Sequence, residues 1–278
     1  MPALSSDLVG LKGEPSQYQW SSKDAMLYAC GVGARPYDDV EFLFEGKGPK
    51  VLPTFGVIAG MAGMGVMGQL EGVNPVMILH GSQAIELQRE LPPDVKLTLQ
   101  GEVTAIWDKG SAAVIEIQTT ATDDKGVLFT STAGIFARGS GGFGGDRGPS
   151  TKGLNAPPER APDHVVEDET RIEQAAVYRL SGDRNPLHID PEFAKMGGFE
   201  TPILHGLCTY GFVGRAVLNA LCGRDPAKFK SFEARFSDVV YPGDTIITKL
   251  WVDGNEAIVQ AETQKGNVVL SGAKATFA

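Results

Sequence analysis

The run Tyr178-Arg179-Leu180-Ser181-Gly182-Asp183-Arg184-Asn185-Pro186-Leu187-His188 places a carboxylate, a carboxamide and an imidazole within six residues. Gly182 and Pro186 stop any helix from continuing through it. A turn of this kind can aim Asp183, Asn185 and His188 at one point, as proton transfer requires. A carboxylate beside an imidazole can hold a water, one group taking its proton and the other donating one. Asn185 carries both a donor and an acceptor to fix that water or the carboxylate. Further on, Pro202-Ile203-Leu204-His205-Gly206 leads into an apolar, helix-like segment. A free N–H at Gly206, reinforced by the helix dipole, can serve a developing oxyanion. These parts suit addition of water to a double bond conjugated to a thioester, or the reverse elimination.

Other readings of the same residues stand beside that one. Ser-Gly-Asp-x-Asn-Pro also fits a helix C-cap followed by an Asx turn, with no chemistry attached. Asp183, His188 and His205 have metal-ligating side chains, but no compact multi-His or Cys spacing supports them, so no metal is expected. Ser181 lacks the G-x-S-x-G surroundings of an activated nucleophile.

Pattern along the chain supplies the framework that would hold these residues. Gly139 to Ala161 is dense in Gly and Pro and reads as a linker between two halves. Its Gly139, Gly141 and Gly144 match G-x-G-x-x-G formally. Asp146-Arg147-Gly148-Pro149 comes next, however, and cannot continue as the helix a dinucleotide site needs. Ile78-Leu79-His80-Gly81 echoes Ile203-Leu204-His205-Gly206, each followed by a segment read as helix, His80 to Glu90 and His205 to Leu221. Strands are expected at Lys96 to Trp107, Ala112 to Thr122 and Gly126 to Arg138. In the second half they fall at Phe229 to Val240, Thr245 to Val252, Ala257 to Gln264 and Val268 to Phe277. Short turns between consecutive strands make the pairing antiparallel. The helix from His205 is apolar on several faces and should be buried, with Gly211 and Gly214 letting a sheet approach. The expected architecture is α+β: an antiparallel sheet wrapping a central helix, made twice, a double hot-dog. Residues 1–138 form the first repeat, 139–161 the linker and 162–278 the second repeat, which carries the chemistry.

Composition narrows the function classes. A net charge of −9 argues against a nucleic-acid partner and requires any anionic ligand to be held locally. Cys30, Cys208 and Cys222 lack CxxC spacing and fit a reducing compartment. Val51 to Leu70 is the most apolar stretch, yet Pro53 and five glycines interrupt it, so no membrane span is expected. Neither a signal peptide nor a peroxisomal tripeptide is visible, which makes the cytoplasm the expected location.

The motif Tyr178-x-Leu180-Ser181-Gly182-Asp183-x-Asn185-Pro186-Leu187-His188 resembles that of the (R)-specific enoyl-CoA hydratases, the hydratase 2 or MaoC-like family. The likeness extends over nearly the whole chain through Leu52-Pro53-Thr54-Phe55-Gly56, Ile78 to Gly81, Asp108-Lys109-Gly110, Ala234-Arg235-Phe236 and Tyr241-Pro242-Gly243. It implies syn hydration of a trans-2-enoyl-CoA to the (3R)-hydroxyacyl-CoA. Asp183 and His188 would be the acid–base pair, Asn185 would orient water or Asp183, and Gly206 would supply the oxyanion hole. Substrate contacts are implied from His80, Gly81, Lys109, Arg184, Pro186, Leu187 and Phe236. An acyl-CoA substrate, no cofactor and a homodimer complete the expectation. A carrier-protein dehydratase, a hot-dog thioesterase and a non-catalytic acyl-CoA-binding scaffold are the alternatives. The first half lacks the Ser-Gly-Asp-x-Asn-Pro-x-His run, which implies one active site per chain. In its place Thr54 to Leu70, rich in Gly and Met, reads either as lining for an acyl chain or as core filler.

Overall fold

Ten strands join edge to edge in one antiparallel sheet, ordered β1-β3-β4-β5-β2-β7-β10-β9-β8-β6. A computed structural model describes residues 4–74 and 77–278. The first half contributes β1 (Ser16–Trp20), β2 (Ile78–Leu87), β3 (Val95–Asp108), β4 (Ala112–Asp123) and β5 (Gly126–Arg138). The second contributes β6 (His164–Glu169), β7 (Phe229–Phe236), β8 (Thr245–Asp253), β9 (Glu256–Thr263) and β10 (Val268–Phe277). The order within each half is the same, β1-β3-β4-β5-β2 against β6-β8-β9-β10-β7. The halves meet at an antiparallel β2:β7 seam, with Ser82 opposite Arg235 and Glu86 opposite Ser231. A twofold-related pair of repeats would join in this way, and the result is the double hot-dog.

The helical layer is unequal. In the second half α3 (Gln174–Tyr178), α4 (Pro191–Met196) and α5 (Gly206–Leu221) lie between β6 and β7, and α5 is buried along most of its length. The first half has α1 (Ser22–Gly31) and α2 (Gly56–Ala62), the latter continued by a 3₁₀ stretch over Gly63–Gln69. Glycines let α2 and this stretch lie on the sheet. A side chain at Gly60 would collide with Ser131, and one at Gly63 with Thr119. Thr119 Oγ1 also donates to the Gly60 carbonyl at 3.0 Å.

Two sequence expectations change here. His80 to Glu90 is not a helix, because Ile78–Leu87 is strand β2. Gln83, Ile85 and Leu87 point into the core while Ser82 and Glu86 face outward, a period of two that pairing on both edges enforces. The two Ile-Leu-His-Gly segments therefore occupy non-equivalent places, one in a strand and one at a helix start. Gly211 and Gly214 of α5 admit the first half's helical layer instead of a sheet. A side chain at Gly211 would meet Val32 and the Tyr28 hydroxyl, and one at Gly214 would meet Thr54. The largest core accordingly draws on both halves, with Tyr28, Phe55 and Leu87 beside Phe212, Phe232 and Leu270. Among the described residues no helix is long and apolar enough to cross a membrane.

Candidate active site

The chemistry-bearing run leaves α3 through a 3₁₀ turn and reverses at Gly182, whose φ of +152° favours glycine. Two Asx interactions then fix the turn. Asp183 Oδ1 accepts from the Asn185 N–H at 3.1 Å, and Asn185 Oδ1 accepts from the Leu187 N–H at 3.0 Å, capping Pro186–His188. The purely structural turn reading is thus correct as far as it goes, and the turn also delivers His188 to a buried position.

His188 Nδ1 lies 2.9 Å from the Ile203 carbonyl. A carbonyl only accepts, so Nδ1 carries the proton and Nε2 keeps a lone pair. His205 stacks on His188 with ring centroids 3.8 Å apart, and its Nε2 donates to the Asp183 main-chain oxygen at 3.1 Å. Both imidazoles are pushed toward the neutral form, chiefly by burial. For His188 the Ile203 bond and the Asp183 charge act in the opposite direction; His205, which also feels His188, falls to about 4. One side-chain ligand atom from each of Asp183, His188 and His205 lies within 4.8 Å of the others. That grouping has the donor types of a metal site, but His205 Nε2 is committed to a carbonyl and the two rings are stacked.

His205 is the N-cap of α5, and Gly206 is its first residue. The Gly206 N–H has no acceptor among the described residues, as expected for the first turn of a helix. A Cβ at this position would lie 3.1 Å from the Phe236 ring. Phe236 in turn meets His80 edge-on at 5.1 Å. The enclosed His80 Nε2 has no hydrogen-bond partner among the described residues. Burial lowers the His80 pKa to about 4, and the charge of Asp183 partly opposes this shift. The first half therefore reaches the second-half turn through His80. It does so again through Ile58 of α2, which a side chain at Gly182 would touch at 3.1 Å.

Two family models divide the chain. The MFE-2 hydratase 2 N-terminal domain matches residues 18–139, and the MaoC like domain matches residues 154–273. The enoyl-CoA hydratase ChsH3 of Mycobacterium tuberculosis is 43% identical, covering 98% of this chain and 98% of its own. This chain belongs to the MaoC-like hydratase 2 family. It is also 40% identical over 97% of its length to the Neurospora crassa peroxisomal hydratase-dehydrogenase-epimerase, of which it spans only 31%. The crystal structure of a MaoC-like dehydratase from Phytophthora capsici superposes with a TM-score of 0.89 at 33% identity, covering 99% of this chain and 98% of that one.

In this hydratase 2 family member, the residues singled out from sequence separate into two groups. Asp183, His188, Gly206, His80 and Phe236 come together. Arg184, Asn185 and Pro186 are exposed on the turn, and Leu187 packs toward Gly197. Asn185 acts on Asp183 through its main-chain N–H, because its side-chain oxygen is occupied by the cap. Gly81 forms a bulge in β2, and with Lys109 it lines a groove beneath the linker. The Lys109 ammonium donates to the Arg147 carbonyl. Sequence reasoning missed the stacking role of His205 and the Tyr178 ring packed against it at 4.9 Å. The signal for His205 was its place directly before the helix-opening glycine.

Proposed function

We propose that the chain hydrates trans-2-enoyl-CoA to (3R)-3-hydroxyacyl-CoA and catalyses the reverse dehydration. The observation that carries this reading is the convergence of the Asp183 carboxylate and the free Nε2 of His188 beside a helix whose first N–H is unengaged. Asp183 orients the water and stabilises the imidazolium that forms. Nε2 of His188 takes the water's proton as oxygen bonds to C3. The C2=C3 pair shifts into the thioester, and the Gly206 N–H holds the resulting enolate oxygen. The same imidazolium returns the proton to C2. Because oxygen and proton reach the alkene from one side, addition is syn.

The acyl tail is proposed to run along α2, whose Ile58 abuts the turn, and the 1–138 repeat serves the substrate while 162–278 performs the reaction. A reducing, cytoplasmic setting agrees with three unpaired cysteines, and a homodimer is the proposed assembly. The test is loss of enoyl absorbance on crotonyl-CoA and longer enoyl-CoAs, followed by chiral analysis of the product. The (3R)-hydroxyacyl-CoA is expected. An (S)-product overturns the stereochemistry, and release of free thiol without hydration makes the chain a thioesterase.

A further inference from the structure

A cleft of about 600 Å³ opens between the two halves at the N-terminal end of α3, the end away from the catalytic turn. The first half lines it with Arg35, Tyr37 and Asp38 from the loop after α1. The second half adds Glu169 at the end of β6 and Arg171 and Ile172 from the segment leading into α3. Both walls are held from behind. The Asp39 carboxylate accepts from the Arg35 main-chain N–H and pairs with Arg215 and Arg224, which ties the loop to α5 and the turn after it. On the other wall the Thr170 N–H and hydroxyl both donate to the Asp244 carbonyl, and Gln174 Nε2 donates to the Cys30 and Gly31 carbonyls. The backbone around the cleft is thus fixed by the fold.

The side chains that face the cleft have no such engagements. Tyr37 is 97% exposed and Ile172 79%, an aromatic and an aliphatic group left in water on opposite walls. The Arg35 and Arg171 guanidiniums and the Asp38 and Glu169 carboxylates make no ion pair or hydrogen bond among the described residues. Two copies of a chain with net charge −9 repel one another, so a contact between them must fall where charge is locally balanced. Here two unpaired cations stand beside two unpaired anions. A twofold axis through such a patch sets the cations of each copy against the anions of the other, because an isologous contact uses the same surface twice. Tyrosine and arginine around an apolar side chain are also the composition of an interface centre.

We propose that this cleft is the contact surface for a second copy of the chain, with Tyr37 of each copy entering the cleft of the other. The interface rests on the homodimeric assembly proposed above and is independent of the hydration chemistry. A charge-balanced patch of this kind suits its own copy better than a partner of one strong sign.

The test measures mass by sedimentation for the full chain and two variants at micromolar concentration. Arg35→Glu with Arg171→Glu makes the patch wholly acidic, and Asp38→Lys with Glu169→Lys makes it wholly basic. Wild type should sediment at twice 29.5 kDa. Each variant alone should fall to the monomer mass, its dimer Kd raised about a hundredfold or more by like charges brought together. An equimolar mixture of the two should return to the dimer mass, and native mass spectrometry should find one copy of each. That recovery also shows that both variants are folded. A mixture that stays monomeric, with both circular dichroism spectra matching wild type, overturns the charge pairing. If wild type is a monomer, the homodimer and its interface fall together; if either variant keeps the wild-type dimer, the homodimer stands and the interface lies elsewhere. Tyr37→Ala leaves the charges in place and should raise the dimer Kd about tenfold or more. An unchanged Kd overturns the insertion of Tyr37.

Discussion

At the scale of single residues, the turn works by separating the duties of two ring nitrogens. The Ile203 carbonyl fixes the proton on His188 Nδ1, and burial keeps the ring neutral by lowering its pKa from the ordinary 6.5. If neutral His188 is the base, kcat/KM is flat above that lowered value and falls as pH drops through it. The acid limb should therefore have its midpoint below pH 6.5. The Asp183 charge raises the His188 pKa, opposing burial, so Asp183→Asn should move the limb lower while cutting kcat about 10²- to 10⁴-fold. A pH profile of both proteins on an enoyl-CoA decides it; a limb above 6.5, or an upward shift in Asp183→Asn, would remove His188 as the base. The two side chains were legible in the sequence because local turn chemistry brings them together. His205 was not, because its contribution is a ring stacked across seventeen positions of chain.

At the scale of elements, identical residues take opposite structures according to the residues that come after them. After Gly81 the order Ser82-Gln83-Ala84-Ile85-Glu86-Leu87 alternates with period two, and after Gly206 apolar residues cover most of a helix surface. The inner strands were readable because alternation survives between two neighbours. The edge strands β1 and β6 were not, because they are short and most of their residues are exposed. The only buried residue of β6 is Asp168, and its partner is Arg215 of α5. Arg215 also pairs with Asp39 at 3.4 Å and donates to the Val32 carbonyl, while Asp39 binds Arg224 at 2.9 Å. This buried network ties α5 to β6 and to the segment after α1. Arg215→Met fills similar space but strands the Asp168 carboxylate, while Asp39 keeps Arg224, so it should cost about 3–5 kcal/mol of unfolding free energy. Denaturant titration measures this directly. A loss under about 1 kcal/mol would mean that water relieves the carboxylate and that the network does not clamp the helix.

At the scale of the whole molecule, two repeats share one proposed active site and one principal core. The turn of the second half takes His80 and Ile58 from the first, and α5 is packed by Tyr28, Val32 and Thr54. Separation of the repeats would open β2 and β7 as bare central edges and strip α5 of one side of its packing. The cost of either half standing alone is the loss of contacts that only the other supplies, so partly folded states with one intact half should not accumulate. Trp20 on β1 and Trp251 on β8 are both nearly buried and report on different halves. Variants retaining only one of these tryptophans should give coincident urea midpoints by fluorescence, matching the loss of secondary structure by circular dichroism. Midpoints separated by more than experimental error would show two folding units joined by a seam, and a folded, isolated 162–278 fragment would show the same. With coincident midpoints, Arg215→Met should shift both tryptophan signals equally, although Trp20 lies on the far edge of the sheet from β6.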